Sequence, residues 1–512
     1  VCLIESGSKD NDLRIKIPAL FAYLHNSKFD WGYETVPQLG FSQQKVGGQN
    51  RVMVDSIGMP YHVKQSIKEH RKGYQPRGKT LGGSSAINAM LYVRGHQWDY
   101  DHWASLGNKG WNFKDVLPYF IKSEHNETHH NSYHGQHGPL NVSELRYQNT
   151  FTQYFVEAGS KLYPFNPDFN GVKQEGIGVY QTTQKKGERC SASVAYLHPI
   201  IERKNITVLT ETTIDKLIFD GKRVVSVDII RKNNKQTIKV NREALVCCGT
   251  FGSPALLMRS GVGGKDVLNN HGINPVSVLP GVGKNLQDHL NIAPIYKVNK
   301  VALLGTSVRS LVYKYPLEYL KYITNRTGFF TSTIAEGGGF IKTDNKHKIP
   351  NIQLHFSVAQ VKDHGRQKEW GHGFTAMSCL LRPKSRGEVT LRSLDPYESP
   401  DIDPKFLSER DDLDEMIAGY KAMQKILQQE PLKKYIKEPR VAVNENSDTE
   451  IEAFIRSYAD TVYHAVGTCK MGQDSMSVVN HRLRVHGLEN LRVVDASIMP
   501  TLIGGNTNAP TL

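Results

Sequence analysis

The sequence predicts an α/β body with a second domain grafted onto it, and three observations carry that reading. The chain has 512 residues, more than one hydrophobic core usually serves. Apolar runs closed by an acid stand at both ends, Val1-Cys2-Leu3-Ile4-Glu5 and Leu491-Arg492-Val493-Val494-Asp495. Between them, Ala244-Leu245-Val246-Cys247-Cys248-Gly249 is an apolar run closed by glycine, which suits a buried parallel strand feeding a helix. Together they read as one Rossmann-like sheet assembled from the start, the 244–260 region and the tail, with the middle of the chain supplying the other domain.

Each element follows from local chemistry. In dinucleotide-binding folds an acid at the end of the second strand bonds a ribose, roughly 20 residues after a G-x-G-x-x-G turn. Glu5 has the acid's setting, but counting back runs off the start, and no such turn occurs elsewhere. The chain therefore reads as truncated at its start. Residues 78–101 form a Gly/Ser-rich turn running into a helix-like stretch. Residues 206–240 alternate apolar and polar side chains with many β-branched ones, a meander of strands. A helix is expected over residues 253–259, with Ser253 as its cap and Pro254 in its first turn. Leu413, Met416, Ile417, Tyr420, Met423 and Leu427 recur at helical spacing, the inward face of a core helix.

Composition excludes several function classes. A 39% hydrophobic and 22% charged chain is globular rather than disordered. The net charge of +14 comes from scattered Lys and Arg, without a nucleic-acid-binding motif, and reads as a solvated basic surface. No apolar run reaches the ~18 residues of a membrane span. The six cysteines form no C-x-x-C pair, and Cys2, Cys247 and Cys248 are expected as small buried hydrophobes. His125, His129, His130, His134 and His137 crowd one segment, but their spacing fits no standard metal site, so they read as surface loop and no metal is expected. Asn126, Asn141, Asn205 and Asn325 begin N-x-S/T sequons, a weak pointer to secretion.

Four separated segments carry the chemistry. Gly78-Lys79-Thr80-Leu81-Gly82-Gly83-Ser84-Ser85-Ala86-Ile87-Asn88 pairs glycines, which let backbone amides approach a ligand, with a Ser-Ser helix start that favours negative charge. Gly249-Thr250-Phe251-Gly252-Ser253-Pro254 is a strand–turn–helix junction. Tyr463-His464-Ala465-Val466-Gly467-Thr468-Cys469-Lys470-Met471-Gly472 holds a histidine in an apolar setting. The last is Val493 to Pro500 followed by Gly504-Gly505-Asn506-Thr507-Asn508-Ala509-Pro510.

In that order, and with Pro280-Gly281-Val282-Gly283-Lys284-Asn285-Leu286-Gln287-Asp288-His289 between them, these segments resemble the signatures of the glucose–methanol–choline (GMC) oxidoreductases over essentially the whole chain. The branch they look most like is insect glucose dehydrogenase, with choline dehydrogenase close behind. The resemblance implies a discontinuous Rossmann-like FAD-binding domain and an α+β substrate domain built on an antiparallel sheet. The divisions would be 1–265, 266–382 and 383–512, and a C-terminal helix of the family would be missing. It implies FAD held by Glu5 at the ribose, by Leu81, Gly82, Gly83, Ser84 and Asn88, by Ile214 near the adenine, and by Asp495, Ala496, Thr507 and Asn508. His464 would be the principal base that takes the alcohol's hydroxyl proton as hydride leaves for the flavin. The second family position is His or Asn, and here it is Asn506, which orients the hydroxyl but cannot titrate. Ile87 stands where some members link FAD through His, so the flavin is expected without a covalent bond. A sugar or other alcohol is the expected substrate and a quinone-type carrier the expected acceptor. The alternatives are an oxidase using O₂, on a steroid for example, a choline dehydrogenase-like enzyme, or a catalytically silent member. Insect relatives are often secreted, which points the same way as the sequons.

Overall fold

A computed structural model describes residues 1–42, 70–299, 305–367 and 369–512. One half of the molecule is framed by short parallel strands. Cys2–Ile4 pairs with Thr207–Leu209, and Ala244–Val246 with Leu491–Val493. The tail strand thus joins the 244 strand as expected, but among the described residues the first strand belongs to a separate pair. Cys2, in the first strand, and Cys247 and Cys248, which lie between strand Ala244–Val246 and helix Gly249–Arg259, are exposed rather than buried. The meander is Thr212–Asp220, Arg223–Arg231 and Asn234–Lys239, antiparallel throughout.

Among the described residues the other half is a nine-stranded antiparallel sheet, the short strand Gly305–Thr306 included. Its main path runs Ile436–Pro439, Ile295–Val298, Gly371–Leu380, Ile352–Ser357, Ala335–Ile341 and Gly176–Val179, with Leu290–Ile292 and Asp460–Thr461 at one flank. Helix Arg410–Leu427 covers one face and buries Leu413, Met416, Ile417, Tyr420, Met423 and Leu427, the residues its periodicity marks. Two large cores result, one under this helix, the other around helix Gly249–Arg259.

Local expectations fail where tertiary partners intervene. The helix expected from Ser253 begins four residues earlier, at Gly249, and Pro254 lies inside it. Ser253 is no cap: its hydroxyl donates to Asp495 at 2.5 Å and accepts from the Cys248 N–H at 3.1 Å. Pro254 cannot donate to the carbonyl of Thr250, but Thr468 Oγ1 does so at 2.6 Å, so the helix continues through the proline. The Gly/Ser turn opens only a 3₁₀ turn, Gly83–Ala86, not the α-helix expected. His134 is buried rather than on a surface loop, and Asn126 and Asn141 are buried with bonded side chains, which removes both as glycan acceptors.

Candidate active site

A cavity of about 1910 Å³ lies between the parallel strand pairs and the antiparallel sheet. An ordinary ligand pocket holds roughly 300–1,000 Å³, so this one has room for two ligands end to end. Glu5, Leu81, Gly82, Gly83, Ser84, Asn88, Asp495, Ala496, Thr507 and Asn508 all line it, as do His464 and Asn506. Ile214 does not: it pairs with Ile229 in the meander and packs on the core instead.

The Gly/Ser turn is drawn tightly against the first strand. A Cβ on Gly7 would meet the Lys79 carbonyl at 1.9 Å, so only glycine permits that approach. Gly83, at φ 54°, would by contrast project a Cβ into open space, as would Gly249 at φ 76°. Both line the cavity, so bare backbone faces it at two places where a side chain would intrude. Ser193 Oγ, buried on the same wall, has no hydrogen-bond partner. An open wall of backbone and an unsatisfied hydroxyl suit an extended phosphate-bearing ligand. Arg189, absent from the sequence-level reading, holds the turn from behind. Its guanidinium donates to the carbonyls of Ile15, Ser85 and Asn88 at 2.9, 3.2 and 2.7 Å and to Asn88 Oδ1 at 2.8 Å. Burial lowers its pKa to about 9. Asp495 caps helix Gly249–Arg259, accepting from the Gly249 N–H at 2.9 Å while burial raises its pKa. Glu5, turned back onto the Gly7 N–H at 2.7 Å, is raised by burial to about 7.

At the other end, His464 follows a strained residue: Tyr463 has φ 71°, a conformation costing about 1–3 kcal/mol. Thr461 Oγ1 accepts the Tyr463 N–H at 2.7 Å, and Asp288 Oδ1 accepts the His464 N–H at 2.9 Å. Asp288, itself buried and raised to about 6, also accepts from Thr461 and Gln75 at 2.5 and 3.2 Å.

The imidazole's tautomer follows from its neighbours. His289 Nε2 lies 3.0 Å from the Leu381 carbonyl, which can only accept, so that nitrogen carries the hydrogen. Burial lowers His289 to about 3, so the ring is neutral and its Nδ1 is a lone pair. His464 Nδ1, 2.9 Å away, must then be the donor. The lone pair of His464 is left on Nε2, 3.3 Å from the Asn506 amide nitrogen. Asn506 is oriented in turn by Gln353, whose Nε2 donates to its Oδ1 at 2.9 Å. Burial first, then His289, His355 and Arg77, hold the His464 pKa well below its ordinary value. The arrangement presents a neutral base and an amide donor to one point in the cavity.

The sheet supplies further groups. Asn291 pairs with Cys379 and His355 with Met377, so all four side chains share one face. Asn291 Oδ1, an acceptor, and His355 Nδ1, a ring nitrogen, are buried on the cavity wall without partners, two polar groups available to a ligand. His289, Asn291 and His355 escaped the reading of the sequence. His289 had a signal, since it ends the Gly281–His289 segment, but nothing local says that it faces His464.

Two family models, both described as GMC oxidoreductase, match residues 36–291 and 383–512. The chain is 44% identical over 520 residues to an alcohol dehydrogenase (acceptor) of Pseudomonas putida, covering all of this chain and 89% of that protein. It is 38% identical over 522 residues to an oxygen-dependent choline dehydrogenase of Pectobacterium atrosepticum, covering all of this chain and 88% of the relative. Among solved structures, pyridoxine 4-oxidase from Mesorbium loti superposes with a TM-score of 0.85 at 28% identity, over all of this chain and 92% of that one. Formate oxidase of Aspergillus oryzae does so with a TM-score of 0.87 at 25% identity, over all of this chain and 91% of that one.

Proposed function

The chain belongs to the GMC oxidoreductase family, and from that premise we propose that it is a dehydrogenase of neutral, largely apolar alcohols. Its class is FAD-dependent oxidation of CH–OH donors. Bound FAD supplies the two-electron acceptor for the hydride that leaves carbon. The glycine-lined turn, with Ser84, Asn88, Asp495, Thr507 and Asn508, would hold it. Ile87, buried on the cavity wall, offers no nucleophile for a covalent link.

The observation that carries the reading is the bare Nε2 of His464 beside the Asn506 amide. In the proposed reaction Nε2 accepts the hydroxyl proton, and Asn506 Nδ2 donates to the same oxygen as negative charge grows there. His289 keeps the accepting nitrogen turned to the substrate. The rest of the wall argues the substrate class. Its carboxylates are engaged: Asp460 with His364 and Arg71, Glu369 with Lys362 and Arg440, Asp363 with Arg366. Among the described residues of this part of the wall, a cationic substrate such as choline finds no open counter-charge. Leu311, Tyr315, Phe329, Phe330, Val441 and Phe454 line the cavity instead and suit an apolar tail.

The names of the relatives favour an alcohol over the glucose dehydrogenase-like reading suggested by the motifs. The acceptor is proposed to be a quinone-type carrier, as the relative named for an unspecified acceptor suggests. The test is a panel of primary aliphatic and aromatic alcohols, choline and glucose on flavin-loaded enzyme, with a redox dye against O₂. Aliphatic or aromatic alcohols with dye should give the highest kcat/KM. A preference for choline or glucose would defeat the substrate reading, and rapid peroxide formation would defeat the acceptor reading. Acid precipitation should leave the flavin in the supernatant; a yellow pellet would contradict noncovalent binding.

A further inference from the structure

The segment from Ser307 to Asn325 carries its amphipathy inside out. It consists of a π-turn, Ser310–Lys314, continuing into helix Tyr315–Asn325. Ser310, Lys314, Glu318 and Tyr322 recur every four residues and face the protein, where Ser310 and Tyr322 are buried. The outward face is apolar: Val308, Tyr313 and Leu317 are 68%, 67% and 60% exposed, and Val312, Leu320 and Ile323 are exposed with them. A helix packed on a soluble body normally turns such residues inward. An apolar face of this extent marks an interaction site.

Three observations identify what covers it. The segment's charge is one-sided, with Arg309, Lys314, Lys321 and Arg326 against the single acid Glu318 between residues 308 and 326, in a chain of net charge +14; Lys314 and Glu318 turn inward, Lys321 bridges to Glu318 and Arg326 to Glu188, so the segment keeps a net positive charge beside its apolar face. Its aromatic residues are tyrosines, Tyr313 and Tyr319 on the exposed side, the side chain that prefers a headgroup boundary with one end apolar and the other wet. And it is continuous with the cavity mouth: Leu311 and Tyr23 are exposed and also line the cavity. Among the described residues no helix is long and apolar enough to cross a membrane. A short basic segment with an apolar outer face lies in an interface rather than spanning it.

We propose that this face docks the enzyme onto an anionic phospholipid surface, seating the cavity mouth against the lipid. Substrates that partition into the bilayer then enter without crossing water. The inference goes beyond the proposed function and does not rest on it, because its readout is binding.

The experiment is co-sedimentation of purified, FAD-loaded protein with vesicles of phosphatidylcholine alone and of phosphatidylcholine with one quarter phosphatidylglycerol. The wild-type chain should bind the anionic vesicles more tightly, and added salt should weaken that binding. The double variant Leu317→Glu/Leu320→Glu replaces two exposed residues that line no part of the cavity. It should bind about tenfold or more weakly, since it loses apolar contact and adds repulsion. Its flavin content and its turnover of a water-soluble alcohol with a soluble dye should stay unchanged. Wild-type protein that ignores both vesicles, or a double variant that binds like wild type, overturns the proposal. So does a wild-type dimer that ignores vesicles and is split by the double variant, since the face is then an interface between copies.

Discussion

His464 and His134 are both buried, yet their surroundings drive them to opposite charge states. His464 sits against a second imidazole and an amide, and burial keeps it neutral. His134 has a carboxylate on each side: Nδ1 lies 3.1 and 3.2 Å from the two oxygens of Glu124, and Nε2 lies 3.0 Å from Asp168. A ring flanked by two anions carries hydrogen on both nitrogens. Burial pulls its pKa down, but the bonds to Asp168 and Glu124 outweigh burial and raise it. Glu124 and Asp168 are correspondingly lowered, and Arg94 donates to Glu124 at 2.7 Å. The comparison teaches that burial alone does not set a histidine's state; what completes its hydrogen bonds does. One site holds a neutral imidazole with its lone pair on Nε2, the other a cation that ties segments together.

The largest effect is expected at the first site. Replacing His464 with Ala should lower turnover by about 10²–10⁴-fold, the usual worth of a positioned general base, while flavin content is retained. Near-normal turnover with intact flavin would show that another group takes the proton. The second site should answer in stability rather than rate. His134→Leu leaves the buried Glu124 and the half-buried Asp168 facing each other, and losing one partner of a buried pair costs about 3–5 kcal/mol. The thermal midpoint should fall by several degrees, while any enzyme that remains folded keeps its kcat; an unchanged midpoint would mean that His134 is not charged.

A smaller effect separates holding the base from being the base. His289→Leu removes the acceptor that fixes the His464 hydrogen on Nδ1, so the ring can turn its N–H toward the substrate. A drop in kcat of about 10²-fold, with a shifted acid limb of the pH profile, is expected, less than for His464→Ala because the imidazole survives. Recovery in His289→Gln, whose amide oxygen can accept from Nδ1, distinguishes this role from packing. A loss of activity with an unaltered pH profile and no recovery would assign His289 to packing alone.

The smallest expected effect is in the pH dependence of stability, where the two sites pull in opposite directions. His134 has a raised folded pKa, so its contribution is complete below the ordinary value of 6.5 and is lost as pH rises through the folded pKa. His289 and His355, at about 3 and 4, and His464 are depressed, so their contribution is complete above 6.5 and fades as pH falls toward the folded values. The thermal midpoint of the wild type should therefore decline on both sides of a maximum. In His134→Gln the alkaline decline should flatten and the acid one persist. If the alkaline limb is unchanged, the sign assigned to His134 is wrong.

The parts of this molecule that were legible in the sequence are those set by local chemistry. The meander at 206–240 and the helix Arg410–Leu427 follow from periodicity. His464, Asn506 and the Gly82–Asn88 turn were found because their motifs are contiguous, and the fold does bring them to one cavity. Where a local rule met a distant partner, it lost. Ser253 looked like a cap until Asp495 took its hydroxyl, and Pro254 looked like a first-turn residue until Thr468 satisfied the carbonyl it orphans.

By itself, then, the sequence determined the architecture class and the family, and it marked His464 as the candidate base, because each is written in residue types at short spacing. Only the tertiary structure decided which nitrogen of His464 carries the lone pair. It is settled by the Leu381 carbonyl, just past the end of strand Gly371–Leu380, relayed through His289 from a segment remote in sequence. It also decided that His134 is a buried cation rather than a surface residue, and that the face of Leu317 and Leu320 points outward. A proton's position and a face's direction depend on groups tens to hundreds of residues apart, and no spacing rule records which of them meet.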